Sequence, residues 1–139
     1  MTQPSTTGGT KTAIVVAIDV TNLGTSEAFY GRLLGFERVN VVRQGLIFEE
    51  RHLASPRVPG FLLMLREAFG KRPIGNQPGS VLRIGFAVEG LAEAIRSSDP
   101  GVRWQNGRPA DASGLTHARL IDPDGYIVEL FEGTPGVGF

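Results

Sequence analysis

Between Leu120 and Glu132 the order of apolar and polar residues reads strand, tight turn, strand. Asp122-Pro123-Asp124-Gly125 places Asp, Pro and Gly at the first, second and fourth turn positions, the preferences of a type I turn. Beyond it, Tyr126, Val128 and Leu130 share one strand face, and Ile127, Glu129 and Phe131 share the other. Glu129 is thus a lone carboxylate between two apolar residues, a position that calls for a partner or a task.

The same patterning predicts β-α-β-β-β twice. Thr12 to Val20 is apolar and β-branched, a strand. Thr21-Asn22 offers a helix cap, and Ser26 to Leu34 reads as a helix ended by Gly35, with Leu23, Ala28, Phe29 and Leu33 as its apolar stripe. Phe36 to Arg43, Leu46 to Glu50 and Gly60 to Arg66 read as strands, so Glu49-Glu50-Arg51-His52 is expected to be a solvated strand end. In the second half, Val81 to Val88 is a strand, and Leu91 to Ser98 a short helix stopped by Asp99-Pro100-Gly101. Val102 to Gln105, Thr116 to Ile121 and Tyr126 to Phe131 are strands, and Asn106 to Leu115 is a long loop of the kind that covers a site.

Two stretches echo each other. Gly60-Phe-Leu-Leu-Met-Leu-Arg-Glu67 aligns with Gly125-Tyr-Ile-Val-Glu-Leu-Phe-Glu132, which sets Met64 opposite Glu129 at an offset of 65. Val15 to Leu23 aligns with Arg83 to Leu91 at an offset of 68. The near agreement indicates an internal duplication. The expected organisation is a disordered tail (1–11), a first module (12–67), a linker (68–80), a second module (81–132) and a loose C-terminal tail (133–139). The fold class is α+β, two tandem βαβββ modules.

Composition narrows the chemistry. Lys plus Arg and Asp plus Glu each number 14, and no basic stripe with interleaved aromatics points to nucleic acid. No apolar run is long enough to span a bilayer, and no signal-peptide pattern opens the sequence, so no membrane partner and a cytoplasmic location are expected. With no cysteine, disulfides, thiolate chemistry and Cys-ligated metals are excluded.

Ala28-Phe29-Tyr30, Leu34-Gly35-Phe36 and Asp122-Pro123-Asp124-Gly125 with Glu129-Leu130, set in two βαβββ copies, resemble the vicinal oxygen chelate superfamily. That group includes glyoxalase I, extradiol dioxygenases, fosfomycin-resistance enzymes and bleomycin-resistance proteins. The resemblance implies a cupped mixed sheet that holds a ligand, and metal ligands at four equivalent positions on the first and last strand of each module. Here those positions carry Val15, Met64, Arg83 and Glu129, of which only Glu129 is a hard ligand. A metal-independent protein without cofactor is therefore expected. An unusual metal site combining Glu129 with His52 or His117 is the open alternative.

The strand period places Val15, Ala17 and Asp19, Leu62, Met64 and Arg66, Arg83, Gly85 and Ala87, and Ile127, Glu129 and Phe131 on the cup face. The small residues Ala17, Gly85 and Ala87 leave room for a ligand or let the sheets curve. The resemblance makes Arg83 and Glu129 neighbours, either a ligand-holding pair or two buried charges that satisfy each other. Phe48 and Trp104 are candidates for an aromatic wall or for the core. His117 is a candidate acid or base, or a surface residue. Tyr30 is expected to pack its helix on a sheet.

Two functions fit. One is a cofactor-free isomerase, cyclase or lyase acting on a small, anionic or enolisable metabolite, with Glu129 as base and Arg83 holding an oxyanion. The other is a bleomycin-resistance-like protein that sequesters an antibiotic or metabolite. A two-fold homodimer is expected from the apolar first-strand faces and the resemblance.

Overall fold

The computed structural model describes residues 13–69, 83–98, 101–109 and 113–133. The expected N-terminal tail, most of the linker, and the C-terminal tail beyond Gly133 lie outside the described residues. The elements run β1 (Ile14–Asp19), α1 (Leu23–Leu34), β2 (Glu37–Gln44), β3 (Phe48–Ala54), β4 (Phe61–Ala68), β5 (Arg83–Val88), α2 (Leu91–Arg96), β6 (Arg103–Trp104), β7 (His117–Ile121) and β8 (Ile127–Glu132). Two four-stranded sheets form, ordered β1-β4-β3-β2 and β5-β8-β7-β6. In each the β1–β4 or β5–β8 pair is parallel and the others antiparallel, as two βαβββ modules require.

The duplication is visible in how each helix starts. Glu67, at the end of β4, accepts a 2.9 Å hydrogen bond from Leu23 N, and Glu132, at the end of β8, accepts one of 2.8 Å from Leu91 N. The two pairs keep the sequence offsets of 65 and 68. α1 has a second cap, since Asn22 Oδ1 accepts from Thr25 N at 2.9 Å. It stops at Gly35, whose φ of 72° suits glycine and whose N–H returns to Gly31. Its buried face is Leu23, Ser26, Tyr30, Leu33 and Leu34, one 3.6-residue stripe, whereas Ala28 is exposed.

Strand alternation sets the core. Ile18, Leu53, Leu63 and Leu65 of the first sheet and Ile84, Leu120, Val128 and Leu130 of the second are buried in one cluster. Each such side chain contributes about 1.5–3 kcal/mol of burial. Phe36, Phe61 and Phe86 meet edge to face at 5.3 to 6.0 Å and join the modules.

The β7–β8 connection is the tight turn that its sequence predicts, closed by a 3.0 Å bond from Gly125 N to Asp122 O. Its first residue is fully buried. Asp122 Oδ1 accepts from Asp124 N and Tyr126 N, and Oδ2 accepts from Tyr30 Oη at 2.7 Å. Burial pushes the Asp122 carboxyl above its usual range against the pull of those donors. Burial, reinforced by Asp122, raises the Tyr30 phenol well above its ordinary value. Nearby, Thr21 binds Asp124, and Tyr126 Oη donates to Asp19 O at 2.8 Å. Tyr30 thus packs its helix and also ties the first module to the second.

β3 departs most from expectation. It runs through Ala54, so Glu49-Glu50-Arg51-His52 is mid-strand and not a solvated end. Glu49 and Arg51 turn toward the helix side, where Glu27 of α1 binds both Arg38 and Arg51, and the two guanidiniums hold its carboxyl below its ordinary value. Glu50 and His52 occupy the opposite face.

Candidate functional site

The sheet faces turned away from the core carry the residues that the strand period assigned to a cup. On the first sheet, Ala17 and His52 lie in register on either side of Met64, and Arg66 lies opposite Asp19 and Glu50. Val15 pairs with Leu62 in the next row. On the second, Gly85 and Arg119 flank Glu129, Ala87 and His117 flank Phe131, and Arg83 pairs with Ile127. All twelve residues assigned to the cup from the strand period share these faces.

Glu129 has a partner, and it is Arg119. Arg119 Nε donates to Glu129 Oε2 at 2.5 Å, with the carboxylate side chain 12% exposed and the guanidinium 35%. The expected Arg83–Glu129 neighbourhood does not form an ion pair among the described residues. In a parallel pair Arg83 sits opposite Ile127, one row removed from Glu129, and it is exposed. Arg119 stands directly across the antiparallel β7–β8 ladder, where side chains approach closest.

Gly85 is explained by its neighbour rather than by open space. A Cβ there would come within 3.0 Å of the Phe131 ring, which lies over the glycine. Ala17 remains exposed beside Met64. His117 is exposed, with its ring 6.3 Å from that of Phe131. Phe48 belongs to the cup face, where the Arg66 guanidinium covers its ring at 4.0 Å. Trp104 is a correction to the aromatic wall. It pairs with Leu120 and packs against the core, because that register puts it on the helix side.

The first sheet adds a polar group that strand prediction truncated. His52 Nε2 lies 2.9 Å from Glu50 Oε1, and Asn40 Nδ2 lies 3.4 Å from His52 Nδ1. With the amide donating to Nδ1, Nε2 is the ring nitrogen that donates to Glu50. The signal was the Glu50–His52 spacing of two, which becomes legible once the strand extends past Glu50.

The donor set does not suit the metal that the resemblance implies. Of the four equivalent positions, Val15 offers no donor, Met64 is soft and Arg83 is cationic. Glu129 is held by a guanidinium, which a cation would have to displace. Among the described residues no three His, Asp or Glu side chains converge as metal ligands.

Two larger cavities flank the modules. One of about 740 Å3 lies between Ile14, Gly60 and Phe61 and the stretch from Gly85 in β5 to Glu89 just beyond it. The other, about 690 Å3, separates α1 at Ala28, Phe29 and Arg32 from Val102, Arg103 and Pro123. Glu129 lines neither.

No protein-family model matches the sequence, and comparison with curated proteins finds no match. Solved structures do match. The trypanothione-dependent glyoxalase I of Leishmania major is 23% identical, with a TM-score of 0.69 over 88% of this chain and 87% of that one. A fosfomycin resistance protein of Listeria monocytogenes, crystallised with Mn(II), is 18% identical with a TM-score of 0.62, over 92% of this chain and 94% of that one. An antibiotic-binding protein from a Streptomyces species is 18% identical with a TM-score of 0.63, over 88% and 95%. Together with the paired modules, these likenesses give the chain the fold of the vicinal oxygen chelate superfamily.

Proposed function

We propose that this protein binds a small organic molecule in its cup without a metal ion, and that the Arg119–Glu129 pair is the polar centre of that site. The observation that carries the reading is the 2.5 Å bond from Arg119 to Glu129, the one hard ligand among the four equivalent positions. A guanidinium takes the place that a metal would need. Leu62, Met64, Ile127 and Phe131 give these faces an apolar component between their charged groups, the mixture from which a small-molecule pocket is built.

The same pair has the parts for chemistry. Glu129 can accept a proton from an enolisable carbon, and Arg119, in the role expected of Arg83, can hold the oxyanion that develops. An isomerase, cyclase or lyase reaction fits these two groups. Sequestration without turnover is favoured by a different observation: each polar pair of the cup, Arg119–Glu129 and His52–Glu50, is already mutually satisfied.

The experiment is a screen of small organic acids and planar antibiotics by thermal shift, repeated on Glu129→Gln. A compound that stabilises the wild type and loses most of that effect in a folded Glu129→Gln supports the site. Equal stabilisation of both rejects it. Turnover of the bound compound separates the enzyme from the sequestering protein. The reading also has two copies pairing through β1, where Ile14 and Val15 are 66% and 52% exposed.

A further inference from the structure

The two modules meet along one closed seam and one open seam. By the offsets of 65 and 68, the β7–β8 turn and the start of α1 correspond to the β3–β4 turn and the start of α2. Gly60 and Gly125, equivalent in the two turns, share a positive φ of 77° and 92°. At the closed seam Tyr126 Oη donates to Asp19 O, and Asp124 accepts from the amide and hydroxyl of Thr21. The counterparts at the open seam are Phe61 with Ala87, and Pro59 with Glu89. Phe61 has no hydroxyl to give Ala87 O, and Pro59 has no carboxylate to receive the Glu89 amide. The cavity of about 740 Å3 lies here, walled by these residues and their neighbours.

The free edge of β5 opens into that cavity. β5 is the edge strand of its sheet and bonds to β8 through alternate residues, as a parallel ladder requires. Gly133 N donates to Val88 O, so Ile84, Phe86 and Val88 turn their N–H and C=O groups to β8. Gly85 and Ala87 turn theirs to the free edge. On β1 the same alternation aims the Asp19 carbonyl outward, and there Tyr126 meets it. The Gly85 and Ala87 groups meet no strand among the described residues. Beside them Val58, Phe61 and Phe86 supply apolar surface. N–H and C=O groups that recur at every second residue are matched by another extended backbone, which has the same period. From Gly85 to Glu89 the edge runs about 13 Å, room for three or four extended residues.

We propose that this cavity is a docking groove for an extended peptide segment of a partner protein, which adds as a strand to the free edge of β5. Its backbone pairs with Gly85 and Ala87, and its side chains on the core side rest on Val58, Phe61 and Phe86. Glu129 does not line the groove, so the groove and the cup reading stand or fall separately.

The probe is the acetylated and amidated peptide Thr-Val-Thr-Val-Thr, titrated into the full chain. The readout is the backbone proton–nitrogen resonances of Gly85 and Ala87. Both amide protons should move downfield and saturate, half-complete at or below about 1 mM. Their exchange with solvent should slow about tenfold or more at saturation. Two control peptides carry N-methyl groups on alternate residues, one in each phase. Only one phase turns its N–H groups to β5, so at least one control should bind about tenfold or more weakly. Phe61→Tyr restores the hydroxyl that Tyr126 has at the closed seam. By donating to Ala87 O it should weaken the parent peptide about fivefold in a protein that melts no lower than wild type. Gly85 and Ala87 amides unmoved by the peptide, or two methylated controls that bind like the parent, overturn the groove. So do Gly85 and Ala87 amides already protected from exchange in the protein alone, because a second copy or another part of this chain then covers the edge.

Discussion

Tyr30 and Asp122, 92 positions apart, share a 2.7 Å hydrogen bond in the interior. One lies on α1 of the first module, the other opens the β7–β8 turn of the second. The bond fixes how the two modules of one chain meet.

Tyr30→Phe removes the donor and keeps the ring packing. Asp122 Oδ2 is then left buried without a partner, at a cost of about 1–3 kcal/mol. Urea unfolding should show that loss as a lower midpoint with an unchanged slope. A midpoint equal to wild type would mean that the bond does not hold the modules.

The pH dependence follows from Asp122, whose folded carboxyl lies above its ordinary value because of burial. The folded state therefore keeps its proton to higher pH than the unfolded state. The contribution of Asp122 is fully present below the unfolded value, about 3.9, and is lost as pH rises through the folded value. Wild type measured against Asp122→Asn should lose relative stability over that interval. A flat difference, or one of opposite slope, would contradict the burial argument.

The two helix starts differ in redundancy. α1 has both Asn22 and Glu67 as caps. α2 is preceded by Gly90, which supplies no side-chain cap, and Glu132 receives both Gly90 N and Leu91 N. Glu132→Ala should cost about 1–2 kcal/mol and Glu67→Ala less than that. Chemical denaturation of the two single variants checks the order; a larger cost at Glu67 would reverse the argument.

Exposure on β1 carries the assembly prediction. Ile14 and Val15 are apolar and largely uncovered at a sheet edge. Sedimentation should give a two-fold dimer at micromolar concentration, weakened by Val15→Lys. A clean monomer for the wild type would count against pairing through this strand.

Much of the fold was legible because strands announce themselves by alternation. The turn at Asp122, the cap at Asn22, the stop at Gly35 and the repeat offsets all stand in the structure. Which residues of the first and last strand of each module share a face followed from the same period. Partners were harder. Arg119 was missed because strand pairing, a long-range property, decides which of several arginines meets Glu129. The contact between His52 and Glu50 was missed because the charged run Glu49 to His52 hides a strand whose two faces serve different surroundings. Trp104 changed sides because a two-residue strand gives no alternation from which to read its register. The buried Asp122 was unexpected because turn carboxylates are usually solvated, and only the fold brings Tyr30 to it.

The most direct test of metal-free recognition by Arg119 and Glu129 is a calorimetric titration of chelator-stripped protein with the best compound from the screen. It is run on wild type, Glu129→Gln, Arg119→Met and the double variant, each shown to be folded by its melting curve. The account predicts that stripping leaves wild-type affinity unchanged and that each single variant weakens it about tenfold or more. Binding that disappears on chelation and returns with a divalent ion would contradict the account, as would affinity that survives in every folded variant.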